Sequence, residues 1–320
     1  MSKPLQIIVF YALLTACTQS QEQEQKKMEA QLFYKIEAEL GEGPIWNHQS
    51  STLYWVDIEG KFLHILDPST GANISFPTPS RIGTVVPLDD GSAILALQDG
   101  VYMFQKGTGE ISLLSYIDSE NTQTRLNDGK CDPAGRLWVG TMHMPQDKTD
   151  GNLYMVDSLG KVTLTLDSIT ISNGIVWSSD ASTMYYIDTP TATIRAFDFS
   201  LSSGEITNER VVVNVDERDG YPDGMAIDEE NKLWVGLWNG GAIARYDPKT
   251  GELMRKISVP AHNVTACAFG GRNLDSLFIT TARTDMTPEE LEKYPDAGSV
   301  FVVNPGVKGV QSDFFKLASD

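Results

Sequence analysis

The chain has 320 residues, with 25 Lys and Arg against 43 Asp and Glu, and a formal charge of −18 at neutral pH. This acid excess argues against nucleic acid as a partner, because phosphate binding relies on basic patches. Its three cysteines, Cys17, Cys131 and Cys267, contain no CxxC pair and so make no zinc or redox motif of that type.

In chain order, the first residues read as a targeting signal. Lys3 is followed by an uncharged apolar run from Pro4 to Ala16. The run falls short of the roughly 20 residues a membrane-spanning helix needs and suits the apolar part of a signal peptide. It ends in Leu14-Thr15-Ala16-Cys17, which looks like a bacterial lipobox in which Cys17 carries the lipid. An ordinary secretory signal cut near Ala16 is the alternative. Residues 1–17 are therefore expected to be a lipoprotein signal. The location this implies is the bacterial cell envelope, on the periplasmic side or at the outer membrane. Contact with the membrane would run only through the anchor. Residues 18–30 are rich in Gln, Glu and Lys, with too little apolar surface to fold, and are expected to be a flexible tether.

From residue 31 onward, short aromatic and β-branched runs recur between Gly, Asp, Asn and Pro clusters. Leu53-Tyr-Trp-Val-Asp, Ala93-Ile-Leu-Ala-Leu, Leu137-Trp-Val-Gly-Thr, Met184-Tyr-Tyr-Ile-Asp, Leu233-Trp-Val-Gly-Leu and Leu277-Phe-Ile-Thr-Thr occupy equivalent places. They are spaced 40, 44, 47, 49 and 44 residues apart, as four-stranded blades require. A small apolar strand precedes each run, and turns such as Asp132-Pro-Ala-Gly separate the two. The expectation is an all-β, six-bladed β-propeller over residues 31–320. Segments 32–37 and 298–303 would share the last blade and close the ring. Cys131 and Cys267 fall in apolar strand patterns and are expected to be buried free thiols.

The repeats depart from their own rule at the entry to the first strand of four blades. Polar residues stand there: Glu42 in Gly41-Glu-Gly-Pro, Asn127 in Arg125-Leu-Asn-Asp-Gly, Asn173 in Ile171-Ser-Asn-Gly, and Asp223 in Tyr221-Pro-Asp-Gly. In a propeller these strand ends converge on the central channel. Two carboxylates and two amides confined together would repel or go unsatisfied unless a cation sat between them. Oxygen donors favour a hard divalent ion such as Ca²⁺, Mg²⁺ or Mn²⁺, with Zn²⁺ left open.

The segments Leu40-Gly-Glu-Gly-Pro-Ile-Trp, Arg125-Leu-Asn-Asp-Gly-Lys, Ile171-Ser-Asn-Gly, Pro222-Asp-Gly-Met, Asn239-Gly-Gly and Cys267-Ala-Phe-Gly-Gly, in this order, resemble the SMP-30/gluconolactonase/luciferin-regenerating family. The resemblance runs from about residue 40 to about residue 308. It implies a six-bladed propeller that hydrolyses sugar-acid lactones with one divalent cation, Ca²⁺ foremost. Glu42, Asn173 and Asp223 would be its ligands, and Asp223 also the catalytic acid/base. Arg125 and Asn127 would contact the substrate, a small sugar lactone, and the protein is expected to act as a monomer. After Gly140-Thr-Met the family carries glutamates, whereas this chain has His143 and Met144, which makes His143 a candidate substrate contact at the rim. A non-catalytic, metal-dependent sugar-acid-binding lipoprotein is the alternative from another class. A propeller hydrolysing phosphotriesters or aryl esters is a third.

Overall fold

The computed structural model describes residues 28–89 and 91–318. Strand β1 (Gln31–Tyr34) comes first and is used last. Blade 1 consists of β2 (Gly41–Asn47), β3 (Thr52–Asp57), β4 (Phe62–Asp67) and β5 (Ala72–Pro77). Blade 2 holds β6 (Ile82–Pro87), β7 (Ala93–Leu97), β8 (Gly100–Gln105) and β9 (Glu110–Tyr116). Blade 3 holds β10 (Thr124–Cys131), β11 (Leu137–His143), β12 (Gly151–Val156) and β13 (Val162–Ile169). Blade 4 holds β14 (Ser172–Trp177), β15 (Thr183–Asp188), β16 (Thr193–Phe199) and β17 (Ile206–Asn214). Blade 5 holds β18 (Tyr221–Ile227), β19 (Leu233–Trp238), β20 (Ala242–Tyr246) and β21 (Leu253–Ser258). Blade 6 holds β22 (Asn263–Gly270), β23 (Ser276–Ala282) and β24 (Val300–Val303), with a short helix α1 (Pro288–Lys293) between the last two. Each blade is an antiparallel meander, and the protein is the expected six-bladed propeller.

Burial explains the strand compositions. Blades stack face to face, so the inner strands are covered on both sides and read as continuous apolar runs, such as the fully buried β3 and β7. The outermost strands face water, and β5 and β9 are exposed or half-buried throughout. In blades 3 and 5 the turn between the first two strands is fixed by a buried acid. Asp132 accepts from the backbone of Ala134 (2.9 Å) and Arg136 (3.0 Å) and from Trp138 Nε1 (2.9 Å). Asp228 repeats the pattern with Glu230, Lys232 and Trp234 Nε1, each at 2.9 Å. The recurring Trp is thus both core and anchor.

The ring closes as expected, because β1 pairs antiparallel with β24 as the outer strand of blade 6. One boundary moves. Residues 28–30, read from composition as tether, already belong to the fold: Glu29 bridges to Ser258, and the buried Ala30 donates its N–H to Ser258 O at 2.8 Å. Composition missed this because backbone pairing needs no apolar side chain. Cys17, the signal over 1–17 and the tether up to residue 27 lie outside the described residues.

After β24, residues 304–318 cross the face opposite the polar strand entries. Backbone bonds join Gly309 to Leu274, Val310 to Ile227, Phe315 to Pro87 and Lys316 to Gly135, tying blades 6, 5, 2 and 3. Phe314 stacks on His48 of blade 1 at 4.4 Å, and Phe315 is buried in the largest apolar cluster. Cys131 and Cys267 are buried free thiols beside this strap, as expected. Phe315→Ala is expected to cost about 3–5 kcal/mol through the cavity it leaves. In a domain of this size that lowers the melting temperature by about 5–10 °C, measurable by circular dichroism. An unchanged transition would show that the strap carries no stability.

Candidate active site

All six blades have a register shift between their first two strands. It falls between Glu42 and Ile45, Ile82 and Thr84, Leu126 and Gly129, Asn173 and Ile175, Pro222 and Met225, and Val264 and Cys267. A bulge adds a residue to one strand and re-aims its side chain. In four blades the residue at the bulge is Glu42, Asn127, Asn173 or Asp223; in the other two it is Gly83 and Thr265. The four polar residues, with Arg125, line one cavity of about 470 Å³ at this end of the axis. They were distant in sequence and are neighbours here.

Hydrogen bonds fix most of this constellation. Asn127 Nδ2 donates to Ser172 O (2.7 Å) and to Asn173 Oδ1 (3.1 Å), while its Oδ1 accepts from Arg125 Nη1 at 2.6 Å. Asn173 Nδ2 donates to Thr189 Oγ1 at 2.8 Å, and that hydroxyl donates to Pro222 O at 2.8 Å. Asn127, expected to contact the substrate, lines the cavity, and its amide also joins Arg125 to Asn173. Thr189, which went unnoticed in the sequence, sets the orientation of the Asn173 amide.

The carboxylates are under strain of charge. Glu42 and Asp223 are 7% and 5% exposed. Burial and the charge of Asp128 push Glu42 up to about 8. Burial, then Glu42 and Asp128, hold Asp223 well above the ordinary carboxylate range. Asp128 is itself buried and raised by that burial, with the Lys130 charge opposing; the Lys130 ammonium donates to Met225 O on blade 5. Asp223 Oδ1 is buried with no hydrogen-bond partner. Burial lowers Arg125 to about 10, leaving it a cation at neutral pH, with Glu59 supporting its charge; Glu59 is paired with Arg81 Nε at 2.8 Å.

These features test whether a divalent cation fits. An orphaned carboxylate oxygen, a second buried carboxylate and the oriented Asn173 amide form an all-oxygen donor set suited to a hard ion. Among the described residues no three His, Cys, Asp or Glu side chains stand at metal-ligating spacing. A cation here would take its third protein donor from the amide. Glu42, Asn173 and Asp223 can therefore hold it.

His143 needs correction. Its side chain is buried, 2% exposed, and does not line the cavity; Met142 and Gln146 do. Strand alternation turns His143 away from the neighbour that reaches the wall. Its Nδ1 lies 2.9 Å from Asp147 Oδ1, outside hydrogen-bond geometry.

The SMP-30/Gluconolactonase/LRE-like region model matches residues 40–283. The chain belongs to that family. Within it, the protein is 38% identical over 284 residues to YvrE of Bacillus subtilis, provisionally named a sugar lactone lactonase, covering 89% of this chain and 97% of that one. It is 38% identical over 279 residues to regucalcin of Danio rerio, covering 86% and 94%. The solved regucalcin of Agrobacterium tumefaciens, described as a calcium-binding protein, superposes with a TM-score of 0.87 at 28% identity over 91% of this chain and 98% of that one.

The raised carboxylates give a prediction for the metal-free family member. The folded state holds a proton on Glu42 up to about pH 8, whereas an unfolded Glu releases it near 4.5. Between these values the folded form binds more protons, so its stability falls as pH rises. With chelator present, the melting temperature should be lower at pH 8 than at pH 5, and Glu42→Gln should reduce the slope. A divalent cation should raise the transition more at pH 8, since its ligands must be deprotonated. A wild-type slope matched by Glu42→Gln would refute the assignment.

Proposed function

We propose that this protein is a divalent-cation-dependent hydrolase that opens sugar-acid lactones. The observation that carries the reading is Asp223: a buried carboxylate with one oxygen unpartnered, facing a second buried acid and a guanidinium in one cavity. A group held in that state suits proton transfer better than structure. The naming of YvrE as a sugar lactone lactonase supports the substrate class, and the description of the Agrobacterium regucalcin supports calcium.

Held by Glu42, Asn173 and Asp223, the cation supplies Lewis-acid polarisation of a substrate carbonyl. The chain's own groups do the rest. Asp223 takes a proton from the attacking water as its oxygen adds to the acyl carbon. The ring C–O bond then breaks, and Asp223 returns the proton to the departing ring oxygen, leaving a hydroxy acid. Arg125, fixed through Nη1 by Leu126 O and Asn127, presents its charge to the oxygen that becomes negative. Asn127 and Thr189 hold Arg125 and Asn173 in place.

Asp223→Asn should lower kcat on D-glucono-1,5-lactone by about 100-fold or more, with the fold intact, in a pH-indicator assay. Dialysis against chelator should abolish turnover, and added Ca²⁺, Mg²⁺ or Mn²⁺ should restore it. Retained turnover in Asp223→Asn would sink the mechanism. Cation-dependent sugar-acid binding without acid release would select the non-catalytic alternative. Thr189→Val, by freeing the Asn173 amide, should weaken divalent-cation binding about tenfold by calorimetry.

A further inference from the structure

Two carboxylates on the cavity wall play no part in that mechanism. Glu217 is exposed on the 3-10 turn Glu217–Asp219, just before β18, and Asp285 is exposed in the segment between β23 and α1. Both line the cavity that holds Glu42 and Asp223, and their exposure places them at its mouth. Neither enters an ion pair among the described residues, while neighbouring cations are committed elsewhere. Arg218 folds back on Asp216, Lys256 pairs with Asp219 at 2.8 Å, and Arg283 with Glu37 at 3.7 Å. Arg125 is the one cation lining the cavity among the described residues, and its Nη1 is bound to Asn127 and Leu126 O. With a divalent cation bound and four ionised carboxylates against it and Arg125, the wall still carries one negative charge in excess. The unpartnered Asp223 Oδ1 at the buried end independently points to a ligand in this cavity.

We propose that Glu217 and Asp285 are specificity-determining residues that form a charge filter at the mouth. They disfavour lactones bearing a permanent negative charge and hasten departure of the product anion. The inference rests on the lactone-opening reading. Hydrolysis adds water across the acyl C–O bond, and the carboxylic acid formed loses its proton at neutral pH. A neutral molecule enters and an anion must leave, so a negative mouth separates them by charge. The field acts through water and is therefore screened by salt.

The test compares wild type with the double variant Glu217→Gln, Asp285→Asn in the cation-loaded protein. Asp285 has φ 62°, a conformation Asn tolerates, so the variant keeps its backbone. Turnover is measured on neutral D-glucono-1,5-lactone and on D-glucaro-1,4-lactone, which carries a free carboxylate. The ratio of kcat/KM between them should narrow about threefold or more in the variant, through KM of the anion. Adding about 0.5 M NaCl should narrow the wild-type ratio in the same direction. A second arm needs no turnover: calorimetry with D-gluconate and uncharged D-glucitol. Gluconate should bind the variant about threefold tighter or more, with glucitol unchanged. An unmoved ratio, or gluconate affinity that does not rise, overturns the proposal. If wild type opens no lactone at all, the hydrolase reading fails by itself and the calorimetric arm still decides the filter.

Discussion

Everything at the active end follows from how closely six inner strands approach one axis. A Cβ on Gly83 would lie 2.5 Å from Asn127 O, and one on Gly174 would lie 2.7 Å from Asp223 O. At that separation there is no room for ordinary side chains between neighbouring strands. The bulge in each blade resolves the crowding by turning one residue per blade out of the sheet. The site is built from what the bulges present: two carboxylates, two amides, a threonine and a glycine.

The same closeness explains the charge state of the site. Burial strips solvation from Glu42, Asp128 and Asp223, so they cannot all ionise without compensation. Lys130 and Arg125 supply part of it, from the same strand β10 that contributes Asn127 and Asp128. A divalent cation supplies the remainder in our reading. Metal binding, proton uptake and stability are then three descriptions of one balance. The mouth works differently: Glu217 and Asp285 stand in water and act at a distance on charge alone.

Rigidity comes from elsewhere. The ring is closed by β1 in blade 6, and the strap over residues 304–318 ties blades 2, 3, 5 and 6 across the opposite face. The bonds of Asn127, Asn173 and Thr189 span blades 3, 4 and 5, so the geometry of the site depends on how those blades pack.

Much of this was legible in the chain. The second-strand runs from Leu53 to Leu277 mark the six blades, because a strand buried on both faces must be apolar throughout. Glu42, Asn127, Asn173 and Asp223 stand out because polar residues there violate the repeat. Spacing alone could not tell that Asn127 joins Arg125 to Asn173, or that Thr189, Glu217 and Asp285 reach the cavity. Those facts depend on side-chain direction and on contacts between blades, such as Asn127 to Ser172 and Thr189 to Pro222, which no local pattern encodes. The sequence determined the number of blades and the chemistry of the donors. The tertiary structure alone decided that these donors meet, because only packing around the axis brings Glu42, Asn173 and Asp223 to one cavity and leaves Asp223 Oδ1 without a partner.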